Sequence, residues 1–198
     1  MKKNIFTSAA RYAFLLTIIL SASVFTSCAT VKKLPGLEKI YVTNTKQINL
    51  LPTEYIAQPL DSIMQLNITF EENSFSVLTY IQADENILFM ELMNDFMISM
   101  GTLEYDGSSI QFDCAAFPSS LKPEYIINDF QNAYYSAEEL KKNLNASRLA
   151  FEELTEGEVT KRFVKDNSKV IEEITITAES VTLKNYLRNY EYTLFSAE

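Results

Sequence analysis

The sequence predicts an α+β domain: a curved antiparallel sheet, an open half-barrel of about ten strands, with two short helices inserted between two blocks of strands. Three observations carry this. Apolar and polar residues alternate at period two from Met64 to Phe70, the first of a series of short strand-like stretches on both sides of the middle of the chain. Turn signals separate those stretches, foremost Asp106-Gly107, with Asp166-Asn167-Ser168 in the second block. Helical chemistry occurs only between the blocks, after Pro123.

The first element is a leader. Lys2, Lys3 and Arg11 precede an uncharged segment from Tyr12 to Phe25, and small residues follow, which is the pattern of a secretory signal. A spanning helix needs about 20 apolar residues, and Tyr12–Phe25 is shorter and contains Ser and Thr. Thr26 and Ser27 directly before Cys28 resemble the lipobox of bacterial lipoproteins, with Phe25 where that motif usually has Leu. The resemblance implies a cut after residue 27 and acylation of Cys28, which becomes the new N-terminus. Ala29, rather than Asp, after the cysteine resembles the class directed to the outer membrane. A soluble cleaved product and an uncleaved anchor are the alternatives. Acyl chains contribute about 0.8 kcal/mol per buried methylene, so two or three hold a protein on a membrane without a spanning helix. The expected organisation is a signal peptide over 1–27, the lipidated cysteine and a linker over 28–36, and one β-rich domain over 37–198.

Removing residues 1–27 leaves 171 residues, enough for one domain with its own core. That leader holds three bases and no acid, so its loss takes the net charge from −9 to −12. An acidic surface repels nucleic acid and anionic headgroups alike, which disfavours nucleic acid as a partner, so none is expected, and leaves membrane attachment to the acyl chains. With Cys28 taken by lipid no internal disulfide can form, and Cys114, among apolar neighbours, reads as a small buried hydrophobe. The chain has no His, which excludes Ser-His-Asp, Cys-His and histidine-based metal sites. No phosphate loop is present, and no cofactor and no catalytic residue are expected.

Leu37–Ser62 reads as irregular, with one short helix or an edge strand, because Pro52 and Pro59 argue against long elements. Met64, Leu66, Ile68 and Phe70 alternate with polar residues, a strand with one wet face; Phe75–Gln82 returns from a turn at Glu71–Ser74. Ile87–Met93 is apolar at six of seven places, which predicts a strand buried on both faces. Phe96–Tyr105 and Ser109–Cys114 flank the Asp106-Gly107 hairpin. Tyr125, Ile126, Phe130, Ala133 and Tyr134 fall near one face of a helix opened by Pro123, with Asn128, Asp129 and Asn132 elsewhere. Ser136 with Glu139 resembles a capping box for a second helix, Ala137–Leu144. Strands resume at Leu149–Leu154, Glu158–Lys165, Val170–Thr177, Val181–Asn185 and Tyr190–Phe195.

Two features are site-like. Met90, Met93, Met97 and Met100 are interleaved with Phe89, Leu92, Phe96 and Ile98, an adaptable lining for apolar ligands or an ordinary core pair. Tyrosines at 125, 134, 135, 186, 190 and 192 rim a cavity mouth or pack helix on sheet. The carboxylate pairs Glu71-Glu72, Glu138-Glu139, Glu152-Glu153 and Glu172-Glu173 mark turns and solvated faces.

The order of blocks resembles the bacterial lipoproteins of unknown function encoded in aryl-polyene biosynthesis clusters. The stretches that carry it are Leu50-Leu51-Pro52, Leu66–Tyr80, Leu103–Gly107, Pro123–Gln131, Val181–Asn185 and Tyr190–Leu194. That family is similar in layout to the LolA/LolB lipoprotein carriers. The resemblance implies a curved sheet wrapped around helices and an apolar cavity. It also implies a role in moving or seating a lipid-like product, such as an aryl-polyene lipid, at the periplasmic face of the outer membrane. The candidate lining is Leu66, Ile68, Phe70, Phe89, Met90, Leu92, Met93, Met97 and Phe130. The alternative is an interaction or assembly lipoprotein without ligand, its partner an envelope protein.

Overall fold

The structure is a computed structural model that describes residues 32–35, 38–70, 72–114 and 122–196. Cys28 and the leader lie outside the described residues, and a compact unit runs from Val31 to Glu198. Each alternating stretch forms a strand. The order is β1 (Lys32–Pro35), β2 (Lys39–Tyr41), β3 (Gln47–Asn49), a 3₁₀ turn (Thr53–Tyr55), β4 (Leu60–Phe70), β5 (Asn73–Ala83), β6 (Leu88–Met93), β7 (Ser99–Tyr105) and β8 (Ser109–Asp113). Two helices follow, α1 (Pro123–Tyr134) and α2 (Ala137–Ala146). β9 (Ala150–Glu156), β10 (Val159–Asp166), β11 (Lys169–Ile176), β12 (Ser180–Asn185) and β13 (Tyr190–Ser196) complete the chain.

Eleven of these strands make one open antiparallel sheet in the order β1-β8-β7-β6-β5-β4-β13-β12-β11-β10-β9. It is two meanders, β4–β8 and β9–β13, joined along β4 and β13, where Leu66 faces Leu194 and Ile68 faces Tyr192. β2 and β3 form a separate small hairpin. Because side chains alternate, cross-strand register assigns the faces. Leu66, Ile81, Met90, Leu103, Ile110, Leu194 and Val164 share the face on which Ile127, Phe130, Leu140 and Leu144 of the helices build the core.

Turn chemistry fixes the corners. Asp106 Oδ1 accepts from the N–H groups of Ser108 and Ser109 at 2.8 and 2.7 Å, and Gly107 takes φ +87° in the β7–β8 hairpin. The buried Tyr105 hydroxyl donates to the carbonyls of Gly107 and Leu51, both at 3.0 Å, tying the hairpin to the leading segment. At the β10–β11 turn Asn167 adopts φ +55°, a conformation its short polar side chain tolerates.

Several expectations are corrected. Within the stretch read as linker, Lys32–Pro35 pairs with β8 as an edge strand. The segment before Ser62 holds a β2–β3 hairpin and a single 3₁₀ turn in place of one short helix or edge strand. Phe96, Met97 and Ile98 form no strand, because the Asn94 side chain takes up the N–H groups of Phe96 and Ile98 at 2.9 and 3.0 Å. β6 is half-buried from Phe89 to Leu92, since the helices cover one face of the sheet only. No side-chain cap forms at Ser136. Its backbone N–H donates to the Tyr55 carbonyl at 2.9 Å, and Glu139 is drawn to Lys142 at 2.7 Å.

Candidate functional site

Among the described residues the helix-bearing face is closed at one end and more exposed at the other. Toward the turns at Asp84–Asn86 and Asp106–Ser108 it is closed by α1, α2 and the segment 48–56, which pack against Ile81, Leu88, Leu103 and Tyr105. Gln131 secures that cover as an amide clamp: its Nε2 donates to the Leu51 carbonyl at 2.7 Å and its Oε1 accepts from the Leu51 N–H at 3.0 Å. Toward the β4–β5 turn the same face carries Leu66, Ile68 and Phe70 opposite Val77, Phe75 and Asn73. There Phe70 and Phe75 are 46% and 40% exposed. Tyr192 and Tyr190 of β13 stand directly across from Ile68 and Phe70.

The nine sequence-predicted lining residues separate accordingly. Leu66, Ile68, Phe70, Met90 and Leu92 lie on the helix-bearing face, which Phe130 of α1 covers in part. Phe89 and Met93 pair with Gln82 and Leu78 on the opposite face, where Phe89 meets the Tyr80 ring edge-on at 6.2 Å. Met97 stands in the β6–β7 loop, exposed. Cys28 lies outside the described residues.

Sequence reasoning missed a buried polar cluster between α1 and the second meander. Asp129, Asn132, Glu172 and Asn185 are all buried. The Tyr190 hydroxyl donates to Asp129 Oδ2 at 2.5 Å, Asn132 Nδ2 to Glu172 Oε1 at 2.7 Å, and Asn185 Nδ2 to Glu172 Oε2 at 3.1 Å. Burial pushes both carboxyls well above the ordinary range, and the Asp129 charge raises Glu172 further. Hydrogen bonds and the nearby Arg188 oppose this without cancelling it. Burial and the two carboxylates likewise push Tyr190 up, so it stays a donor. Glu172 is thus buried rather than solvated. Glu173, on the other face, meets Tyr186 Oη at 2.8 Å and Lys161 at 3.5 Å.

Asn128, Asp129, Gln131 and Asn132 are buried too, so α1 is covered on its polar side as well. The available signal was composition: between Glu124 and Tyr134 the helix has no Lys, Arg or Glu, the long charges of a solvated face. Arg162 stands beside this cluster. Its Nη1 donates to the carbonyls of Asn132, Ala133 and Tyr135 at 3.1, 2.9 and 3.0 Å, and its Nε to Glu153 at 2.7 Å. It satisfies the carbonyls that the end of a helix leaves open.

Two concavities open on the surface. One, of about 460 Å³, lies between Thr43–Thr45 and the Asp166–Lys169 turn; the other, of about 520 Å³, lies between the start of α2 and Phe151–Leu154. Both are open clefts. Among the described residues no group of three or more His, Cys, Asp or Glu side chains is placed to hold a metal, and no helix is long and apolar enough to cross a membrane.

An open antiparallel sheet with helices on one face, a half-exposed apolar strip and a buried acid cluster define an α+β domain of the sheet-and-helix type. The chain belongs to the family described as protein of unknown function (DUF3261), whose model matches residues 62–198, from β4 through both helices to the C-terminus. No curated protein matches the chain.

Proposed function

We propose that the protein is a non-catalytic lipoprotein of the cell envelope, anchored through Cys28, that binds or hands on a hydrophobic lipid-like molecule at the periplasmic face of the outer membrane. The observation that carries the reading is the apolar strip at one end of the helix-bearing face, half-exposed at Phe70 and Phe75. These two rings lie beside Ile68 and Val77, just past the place where α1 reaches over Tyr190 and Tyr192. An acyl or polyene chain laid on this strip removes apolar surface from water at about 25 cal/mol per Å². The open sheet with helices on one face is the ground for comparing the layout with LolA/LolB carriers. The resemblance to lipoproteins of aryl-polyene clusters points to an aryl-polyene lipid as the ligand.

A second reading has its own observation. The helices and the sheet share one buried apolar core, and among the described residues neither cleft is an enclosed apolar cavity. That favours an assembly lipoprotein whose strip docks an envelope protein. The test is organic extraction and mass spectrometry of the intact protein purified from membranes. A stoichiometric lipid, lost in Phe70→Glu/Phe75→Glu with an unchanged circular-dichroism spectrum, supports the carrier. A clean protein that takes up no fluorescent fatty acid overturns it in favour of the assembly role.

A further inference from the structure

We propose that the β6–β7 loop, Asn94–Ile98, inserts its apolar side chains into the bilayer beside the acyl anchor and thereby orients the domain on the membrane; this rests on reading Cys28 as lipidated. Phe96, Met97 and Ile98 are 82%, 52% and 60% exposed. A continuous apolar tip of this kind marks an interaction site rather than ordinary surface. The tip is held in place. Asn94 Oδ1 accepts from the N–H groups of Phe96 and Ile98, the Asn94 N–H donates to the Ile98 carbonyl at 3.1 Å, and the Met97 N–H donates to the Asn94 carbonyl at 2.9 Å. Met97 adopts φ +59° to close the turn.

Strand directions say what the tip meets. β1 is antiparallel to β8, with Lys32 opposite Phe112 near the end of β8, and Thr102 near the start of β7 faces Asp113. The N-terminal end of β1 therefore lies at the strand ends that carry the β6–β7 loop. Cys28 precedes Lys32 by four residues, and four residues extend at most about 14 Å. An acylated Cys28 holds these strand ends close to the bilayer, where the effective concentration of membrane makes a short apolar insertion sufficient. The contact is apolar and not electrostatic. Residues 28–198 carry a net charge of −12, and Asp95 stands exposed within the loop. Asp95 stays at headgroup level, so zwitterionic lipid is favoured over anionic lipid and salt has little influence.

The chain has no tryptophan, which makes Phe96→Trp a unique reporter. The acylated protein, with Cys28 modification verified by intact mass, is reconstituted into protein-free phosphatidylcholine vesicles containing shallow brominated lipid. Leu154→Trp, exposed on β9, is the control. Phe96→Trp emission shifts to the blue and is quenched at least about twofold more than that of Leu154→Trp. Acylated protein whose Phe96→Trp emission stays at its aqueous position overturns the proposal and leaves a protein as occupant of the loop. A chain found unmodified at Cys28 overturns the anchor reading itself, and with it the two-point attachment.

Discussion

Arg162 is the side chain on which the end of α1 depends. Its guanidinium serves three carbonyls and one carboxylate from a buried position, a task that the planar fork performs and a point charge does not. Arg162→Met leaves all four acceptors without their donor, and we expect a loss of about 3–5 kcal/mol in urea unfolding. An unchanged midpoint would show that α1 is held by its apolar contacts alone. Asp129 has the opposite character. Its pKa is raised in the folded state by burial, with Tyr190, Asn128 and Arg188 favouring the charged form and Glu172 interacting with it as a like charge. The folded protein then holds the proton more tightly than the unfolded chain. The cluster's stability is present below the ordinary carboxylate range, near pH 4, and is lost as the pH rises through the raised values. Asp129→Asn keeps an oxygen to accept from Tyr190 and removes the titration of this carboxyl, leaving that of Glu172. Between about pH 5 and pH 8 the wild-type midpoint therefore falls more steeply than that of the variant. Parallel profiles in urea melts would refute the assignment.

At the scale of elements, α1 is joined to the leading segment by the Gln131–Leu51 clamp, which mimics a pair of backbone hydrogen bonds. Gln131→Leu fills the same space but leaves the Leu51 N–H and carbonyl without this partner. The expected loss is about 1–3 kcal/mol, with faster amide exchange at Leu51; unchanged exchange there would show that Tyr105 alone holds the segment. The ten strands of the main meanders and both helices were legible because period two, Asp106-Gly107 and Pro123 act locally. β1 was not legible, because Lys32–Pro35 becomes a strand only by pairing with β8, far along the chain. The strip was half legible. Leu66, Ile68 and Phe70 alternate with polar residues and declare one face, whereas the near-continuous apolar run Leu88–Met93 declares none. Sequence alone therefore does not part Phe89 and Met93 from Met90 and Leu92, which register puts on the opposite face. The acid cluster was illegible for a related reason. A glutamate in a strand beside another glutamate looks like a wet edge until an asparagine on a distant helix is brought over it.

At the scale of the molecule, the seam between β4 and β13 decides whether the two meanders behave as one unit. Among the described strands they meet within the sheet only there, through two strands far apart in the chain. Such non-local pairing is costly in chain entropy, so a bare seam would be a plane of weakness. Two features work against that. Leu194 is buried in the seam between Leu66 and Val181. α1 spans it, bonding to Tyr190 and Glu172 on one side and, through Gln131, to the Leu51 segment that packs on the first meander. Leu194→Ala opens a cavity at the centre of the seam, with an expected cost of about 2–5 kcal/mol. Because α1 still couples the halves, urea unfolding followed by circular dichroism and by tyrosine fluorescence remains one coincident transition with an unchanged slope. Two separated transitions would show that each meander folds by itself and that β4–β13 is a docking contact between two units.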